Sequence, residues 1–225
     1  MASHAVYVFD AYGTLFDVHS AVGRLRDQIG ADAERLSELW RIKQMEYSWV
    51  RSLMHDNPSY RHRDFWRLTE DALDYATAAV GGIDPALRGP LLDAYKTLDA
   101  YPEIASVLAA LKDRGSRLAI LSNGSPEMLA AATASAGLDD HLDAVISVEE
   151  VGIFKPDPRV YRLVLDRFAV SPADVSFQSS NGWDIAGASA FGFAAVWINR
   201  KGQPREYADV GTAREAPDLR ALADG

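Results

Sequence analysis

Short apolar runs alternate with amphipathic segments throughout the second half of the chain, and this rhythm limits the possible folds more than any other feature. The apolar runs predict strands at residues 117–121, 144–147, 175–178 and 193–198, and the segments between them predict helices at 104–114, 126–135, 157–168 and 183–191. Strands that alternate with helices favour a doubly wound parallel sheet with right-handed crossovers. We therefore predict an α/β fold, with a polar and weakly structured tail over 199–225.

A further apolar run lies near the start of the chain. Residues 5–9 have the length and the β-branched and aromatic content of a buried strand, and Asp10 follows at once, before a turn that contains Gly13. A carboxylate at the carboxyl end of a parallel strand faces the crevice where such sheets bind ligands. An Asp here is equally typical of an ordinary turn, so this stretch alone leaves both interpretations open.

Between these two regions the pattern is purely helical. Amphipathic segments at 21–29, 32–53, 63–80 and 85–99 carry apolar residues three and four positions apart, and no strand-like run interrupts them. We therefore expect an all-helical cap inserted after the first strand. The expected division is an α/β core formed by residues 1–16 and 100–225, with the cap at 17–99.

Composition excludes several classes of function. The 225 residues suffice for one large domain, or for a core with an insertion. The net charge of −9, with no Lys/Arg cluster, argues against a nucleic-acid partner and means that any anion site must be local. The absence of cysteine excludes thiol chemistry, and the five histidines show no metal-ligand spacing. No run is long enough to span a membrane and no signal peptide is evident, so we expect no membrane partner and a cytoplasmic location.

Small polar residues follow several of the predicted strands. Asp10, Ser122 and the stretch 179–184 should surround one crevice, because the carboxyl ends of parallel strands share one edge of the sheet. Ordinary turn chemistry also selects Ser, Asn and Asp at such positions, and that alternative stays open.

Four of these stretches resemble the sequence motifs of the haloacid dehalogenase superfamily. They are Asp-Ala-Tyr-Gly-Thr at 10–14, Ser-Asn-Gly-Ser-Pro at 122–126, Phe-Lys-Pro-Asp-Pro at 154–158 and Ser-Ser-Asn-Gly-Trp-Asp at 179–184. Within that superfamily the chain resembles the type II L-2-haloacid dehalogenases, whose cap is similar to the region around Arg41. The resemblance runs from about residue 6 to residue 200. It implies a Rossmann-like core beneath a helical cap.

Two features favour the dehalogenase branch over the phosphatases that dominate the superfamily. Phosphatases need a second Asp two positions after the nucleophile to protonate an alkoxide, and Tyr12 stands there in this chain. The last motif offers only one carboxylate, Asp184, which is little for a magnesium ion. The resemblance therefore implies a hydrolase that uses no metal or other cofactor. A magnesium-dependent phosphatase or phosphonatase remains the alternative, and a non-catalytic binding module is a third possibility.

The implied reaction converts short-chain L-2-haloacids into D-2-hydroxy acids with inversion, through an ester on Asp10. Because burial disfavours a charged carboxylate, the nucleophile needs a positive neighbour, and Lys155 is the candidate. The implied partners are a small-molecule haloacid and the released halide. The apolar surface near Trp49 and Leu53 suggests a homodimer.

The resemblance also implies a role for each site residue. The catalytic set is Asp10, Thr14, Lys155, Tyr161, Ser179 and Asp184; the substrate-binding set is Ala11, Tyr12, Met45, Phe65, Ser122, Asn123 and Trp183; and the halide-binding pair is Arg41 and Asn181. Trp66 is the alternative to Phe65, and Tyr161 and the aromatic residues are equally typical of plain core. The chain departs from the family pattern at Ile42, at Gly182 and in a longer segment at 54–63, and the two substitutions are expected to alter the pocket.

Overall fold

The computed structural model describes residues 4–211 and 213–223. The strands are β1 (Val6–Phe9), β2 (Arg117–Ser122), β3 (Ala144–Ser147), β4 (Val175–Ser179), β5 (Ala194–Ile198) and β6 (Arg214–Ala216). The α-helices are α1 (Ser20–Gly23), α2 (Arg26–Ile29), α3 (Ala33–Leu53), α4 (Phe65–Ala79), α5 (Arg88–Lys96), α6 (Ile104–Asp113), α7 (Pro126–Ala136), α8 (Pro158–Phe168), α9 (Gly182–Phe191) and α10 (Arg220–Ala223).

All neighbouring strands of the sheet are parallel, in the order β3-β2-β1-β4-β5-β6. The chain winds outward from β1 to β3, returns to the other side of β1 as β4, and winds outward again. The direction therefore reverses between β1 and β4, and ligands bind at such a reversal beyond the carboxyl ends of the strands. The central strands β1, β2 and β4 are almost wholly buried, as expected for a sheet covered on both faces. The predicted α/β fold is confirmed.

The segment between β1 and α6 is helical, and its two ends meet on the core. Phe16 and Ala100 form an antiparallel bridge, the Asp17 amide donates to the Asp99 carbonyl (2.8 Å), and the Tyr101 amide donates to the Leu15 carbonyl (3.0 Å). The segment thus leaves and re-enters the core at two adjacent, hydrogen-bonded stretches of backbone. This pairing supports the expected cap boundaries, and we propose 17–99 as the cap.

Polar contacts inside the core of this helical segment join α3 to α4. The Trp40 indole donates to the Thr69 carbonyl (2.8 Å), and the Gln44 amide donates to the Thr69 hydroxyl (2.9 Å). All three residues are buried, so these bonds satisfy polar groups that would otherwise be costly to bury. They fix the rotation of α3, which also carries Arg41.

Two expectations about secondary structure were wrong. The predicted helix at 21–29 is interrupted, because α1 ends at Gly23 and α2 begins at Arg26. The tail is more ordered than its polarity indicated, since it contains the edge strand β6 and the short helix α10. Two of the three residues in β6 are exposed, so its pairing with β5 forms it and its own apolar pattern does not. No helix among the described residues is long and apolar enough to cross a membrane.

Candidate active site

Asp10 directly follows β1, where the winding of the sheet reverses, and the residue is 5% exposed. One oxygen, Oδ2, accepts hydrogen bonds from Asn181 Nδ2 (2.8 Å), Thr14 Oγ1 (3.1 Å) and Ser179 Oγ (3.4 Å). The other, Oδ1, accepts from Lys155 Nζ (3.1 Å). The donors to Oδ2 hold the carboxylate in one orientation and leave Oδ1 with the greater share of free lone-pair density.

Lys155 supplies a buried positive charge beside Asp10. Its ammonium group is fully buried and lies 3.1 Å from Asp10 Oδ1 and 2.8 Å from Asp184 Oδ2. Its backbone amide donates to Asn123 Oδ1 (3.0 Å), which ties the Lys155 loop to the end of β2. Burial alone would lower the pKa of Lys155, but the charges of Asp10 and Asp184 outweigh burial and raise it above its ordinary value. Lys155 therefore stays protonated between two carboxylates.

Asp184 lies in the first turn of α9 and is fully buried. Its Oδ1 accepts from the Tyr161 hydroxyl (2.8 Å), while its Oδ2 accepts from Lys155. Burial raises the pKa of Asp184, and the Lys155 ammonium opposes that rise. Tyr161 reaches Asp184 across Gly187, where an added Cβ would lie 2.5 Å from the Tyr161 hydroxyl oxygen. Tyr161 therefore contacts the partner of Lys155 and not Asp10 itself.

The end of β2 and the turn after β1 offer groups suited to a carboxylate ligand. Ser122 is fully buried, and its hydroxyl accepts from the Gly124 amide (3.1 Å), which leaves the hydroxyl proton available. The amide nitrogens of Ala11 and Tyr12 donate no hydrogen bond to any residue in the described part of the chain. Converging backbone amides and a hydroxyl form a common anion site.

Arg41 reaches the core from α3. Its Nη2 donates to the Tyr12 carbonyl (3.2 Å) and to Asn181 Oδ1 (3.2 Å). Its Nη1 is buried and has no partner among the described residues. A buried guanidinium nitrogen without an acceptor is costly, so this atom indicates a position for an anion. Arg41 and Asn181, the predicted halide pair, are thus brought together beside Asp10.

Aromatic rings enclose the site on the cap side. The Tyr12 ring stacks on Tyr95 (5.7 Å between centroids) and lies 6.0 Å from Phe65, which in turn lies 6.2 Å from Phe154. Burial, followed by the nearby Tyr95, raises the pKa of Tyr12 well above 10, although Arg41 opposes the rise. Tyr12 is therefore a neutral phenol at neutral pH. The site wall beside Asp10 is apolar, with few water-accessible groups.

The remaining predicted pocket residues lie as follows. Met45 is buried on α3, and Phe65, not Trp66, joins the ring cluster at Tyr12; Trp66 instead lies under Lys96 (5.0 Å). Trp183 packs edge-on against Trp49 (5.6 Å) and lines a groove of about 560 Å³ with it. No ring contact joins Trp183 to Tyr12 within the described residues.

The three departures from the family pattern lie at the edge of the site. Ile42 is 56% exposed, so it does not shape the pocket as expected. An added Cβ at Gly182 would lie 3.3 Å from Glu206 Oε2, near the surface. In the longer segment, His62 Nε2 lies 2.9 Å from Glu149 Oε2, and its ring lies 5.3 Å from Phe154. Contacts of His62, just before α4, therefore hold this segment against the core.

Two residues at the site were missed from the sequence. The Tyr95 hydroxyl donates to Gln44 Oε1 (3.1 Å) behind Tyr12, but its helical position looks like ordinary core. Arg200 Nη2 donates to the Thr14 carbonyl (2.9 Å) and thereby holds the turn that carries Thr14. Arg200 lies just after β5, so the rule that singled out polar residues at strand ends could have found it.

The residues present do not suit a metal ion. No group of three or more His, Cys, Asp or Glu that could hold one occurs in the described part of the chain. The two nearest carboxylates, Asp10 and Asp184, share the Lys155 ammonium, so a positive charge already fills the space between them.

Comparisons with known proteins agree with this geometry. The family model for haloacid dehalogenase-like hydrolases matches residues 4–192. The chain is 52% identical to (S)-2-haloacid dehalogenase 4A of Burkholderia cepacia, over 89% of this chain and 85% of that protein. It is also 52% identical to (S)-2-haloacid dehalogenase 1 of Pseudomonas sp. (strain CBS-3), over 96% of this chain and 93% of that protein.

A solved structure extends the likeness to the fold. The L-2-haloacid dehalogenase of Xanthobacter autotrophicus, solved with chloropropionic acid covalently bound, superposes with a TM-score of 0.88 at 38% identity, and covers 98% of this chain and 97% of its own. The chain therefore belongs to the haloacid dehalogenase-like hydrolases and, within them, to the (S)-2-haloacid dehalogenases.

Proposed function

We propose that this protein hydrolyses the carbon–halogen bond of short-chain L-2-haloacids and releases the D-2-hydroxy acid and halide. The observation that carries the proposal is the asymmetry of the Asp10 carboxylate. Three neutral donors occupy Oδ2, and among the residues that the structure describes only Lys155 donates to Oδ1, so Oδ1 is the natural nucleophile. The unpartnered Nη1 of Arg41 nearby is the natural acceptor for a departing anion.

In the first step, Asp10 Oδ1 forms a bond to C2 of the haloacid while the C2–halogen bond breaks. The bonding electrons leave with the halide, which Arg41 and Asn181 receive. Ser122, Asn123 and the amides of Ala11 and Tyr12 hold the substrate carboxylate, so attack comes from the face opposite the halogen and inverts C2. Such alignment of reacting groups contributes up to about 7–11 kcal/mol to a rate acceleration.

In the second step, water attacks the ester carbonyl of Asp10. Asp184 takes a proton from this water, because burial raises the pKa of Asp184 and makes it a stronger base. The tetrahedral intermediate collapses as the bond between Asp10 Cγ and Oδ1 breaks. Oδ1 stays on C2, takes up the proton held by Asp184 and becomes the 2-hydroxyl group, while Asp10 keeps the oxygen from water and loses its proton. Tyr161 and Lys155 keep Asp184 in place throughout.

The geometry argues against a phosphatase. Phosphomonoester cleavage expels an alkoxide, which needs an acid, and Tyr12 at the acid position is a neutral phenol whose pKa is raised well above 10. Halide is a stable anion and leaves without a proton. The aromatic wall formed by Tyr12 and Phe65 suits a short alkyl group better than a phosphoryl group.

The direct test is halide release from L-2-chloropropionate in the presence of excess chelator. We expect stoichiometric chloride and D-lactate, no reaction with the D-substrate, and no activity in Asp10→Asn. The variant Asp113→Asn, changed at the end of α6 away from the site, should keep full activity. Magnesium-dependent hydrolysis of a phosphomonoester, without chloride release from the haloacid, would select the phosphatase alternative.

A labelling experiment tests the ester. In a single turnover in heavy-oxygen water, we expect the label in the Asp10 carboxylate, detected by peptide mass spectrometry, and not in the first hydroxy acid released. Label that appears first in the product would mean that water attacks C2 directly.

We also propose that the protein is a cytoplasmic homodimer. The groove beside Trp49 and Trp183 includes Leu53, which is 88% exposed, and such apolar exposure is typical of protein–protein contacts. Sedimentation should give a dimer, and Leu53→Asp should give a monomer. A wild-type monomer at micromolar concentration would refute the assembly.

A further inference from the structure

A second cavity has Arg41 and Asn181 in its lining, but not the aromatic residues Tyr12 and Phe65. Its volume is about 200 Å³, and it lies between the turn after β1 and the segment that follows β5. Its lining includes Gly13, His19, Arg41, Asn181, Arg200 and Lys201. Arg41 and Asn181 therefore belong both to the group around Asp10 and to the wall of this cavity.

The lining of this cavity is cationic, although the protein carries a net charge of −9. Arg41, Arg200 and Lys201 supply three positive charges, and no carboxylate belongs to the described lining. Arg200 pairs with Glu103 (2.6 Å), which lies outside the lining, so part of its charge is balanced. Lys201 Nζ contacts His19 Nε2 (3.3 Å) and forms no ion pair with a described residue.

The contact between Lys201 and His19 positions the ammonium group of Lys201 in the cavity lining. Because an ammonium only donates, His19 Nε2 is the acceptor, and His19 Nδ1 donates to Ser37 Oγ (2.7 Å). His19 is thus neutral, and burial together with Lys201 lowers its pKa. The histidine orients Lys201 without competing for an anion.

Three lining residues carry buried polar atoms that have no partner among the described residues. They are Arg41 Nη1, Arg200 Nε and Ser180 Oγ. All three can donate a hydrogen bond, and buried donors normally have acceptors. These atoms are covered by their neighbours, so they show only that the residues of this lining carry more donors than acceptors.

We propose that this cavity is a binding site for small monovalent anions and that the halide displaced at Asp10 leaves through it. The binding part stands on the cavity alone, and the exit part rests on the proposed dehalogenation. The halide passes from Arg41 and Asn181 toward Arg200 and Lys201, and so reaches solvent without crossing the space that holds the substrate alkyl group. The ammonium of Lys201 lowers the energy of the anion along this path.

Halide binding without substrate tests the site independently of turnover. The chloride NMR line broadens when chloride binds the protein, and added bromide narrows it by displacing chloride, so a bromide titration gives the bromide affinity. The titration compares wild type with Lys201→Gln. The control is Lys96→Gln, which removes the same charge from an exposed position at the end of α5. We expect Lys201→Gln to weaken bromide binding about three- to tenfold and Lys96→Gln to leave it unchanged. Crystals soaked in bromide should show anomalous density between Arg200 and Lys201. Equal affinities in all three proteins, with no such density, would overturn the site.

Steady-state kinetics test the exit. We expect Lys201→Gln to raise the inhibition constant of bromide by the same factor while kcat/KM for L-2-chloropropionate stays within twofold of wild type. If kcat/KM falls in parallel, the cavity admits the haloacid carboxylate and the exit role is wrong. If wild type releases no halide but still binds bromide in a Lys201-dependent way, the proposed function fails and the anion site stands.

Discussion

Replacement of Lys155 by methionine, a side chain of similar size without charge, should be among the most costly single changes in this protein. The ammonium lies 3.1 Å from Asp10 and 2.8 Å from Asp184, and Coulomb's law with an effective dielectric constant of about 20 gives attractions of about 5 and about 6 kcal/mol. The variant no longer has to desolvate a buried ammonium, which offsets much of this loss. We therefore expect the free energy of unfolding to fall by about 3–5 kcal/mol at neutral pH.

The loss should depend on pH in a defined direction. Burial raises the pKa of Asp184, and without the Lys155 ammonium to oppose the rise its pKa should climb further. A carboxyl group whose pKa is higher in the folded than in the unfolded state destabilises the fold fully when the pH is above the folded-state pKa. This destabilisation decreases as the pH falls from the folded-state pKa toward the unfolded-state pKa, near 3.8. The difference in stability between wild type and variant should therefore shrink on acidification.

Urea unfolding at several pH values measures both effects. The variant Lys155→Met/Asp184→Asn keeps one buried carboxylate in place of two and should regain part of the stability lost in Lys155→Met. Lys112→Met removes one member of an exposed ion pair with Asp143 and should cost no more than about 1 kcal/mol. If Lys155→Met were as stable as wild type at neutral pH, or if its deficit did not change with pH, the assignment of Lys155 as the charged partner of Asp10 and Asp184 would be wrong.

Three further changes probe the supports of the site. Gly187→Ala should lower the free energy of unfolding by about 1–3 kcal/mol and reduce turnover, because its Cβ would lie 2.5 Å from the Tyr161 hydroxyl oxygen. Chemical denaturation measures the first effect and chloride release the second. Unchanged turnover would exclude a role for the position of Tyr161. The Cβ of Gly13→Ala would meet no atom within 4 Å, but φ at this position is +93°. Backbone strain alone should therefore lower the free energy of unfolding by about 1–2 kcal/mol, as measured by thermal unfolding. A variant as stable as wild type would contradict this explanation. The pKa of Lys155 is raised above 10.5, so deprotonation of Lys155 should cause no fall in kcat at or below pH 10.5. A fall in that range that moves to higher pH in Lys155→Arg would disprove the raised pKa.

Local pattern was sufficient for the architecture. Apolar runs separated by amphipathic segments predicted strands β1 to β5 and the helical segment after β1, because burial on one or two faces produces a regular spacing of apolar residues. Asp10, Ser122 and Ser179 could be placed at one edge because parallel strands that alternate with helices all end on the same side. The family motifs then gave each of these residues an expected role.

Other features depended on contacts between distant segments. β6 exists because β5 offers it a partner, and its exposed residues carry no strand signal of their own. Tyr95 reads as an ordinary buried position on a helix until the fold stacks it on Tyr12.

The division between sequence and structure follows from the range of the forces involved. Hydrophobic periodicity and turn chemistry act over a few residues. The local sequence therefore determines the order of strands and helices and the types of residue at their ends. Three features arise from side chains far apart in the chain: the different hydrogen-bond partners of the two Asp10 oxygens, the place of Lys155 between two carboxylates, and the cationic cavity lined by Arg41. Electrostatic interactions and hydrogen bonds depend on distances of a few ångströms, and only the folded chain sets those distances.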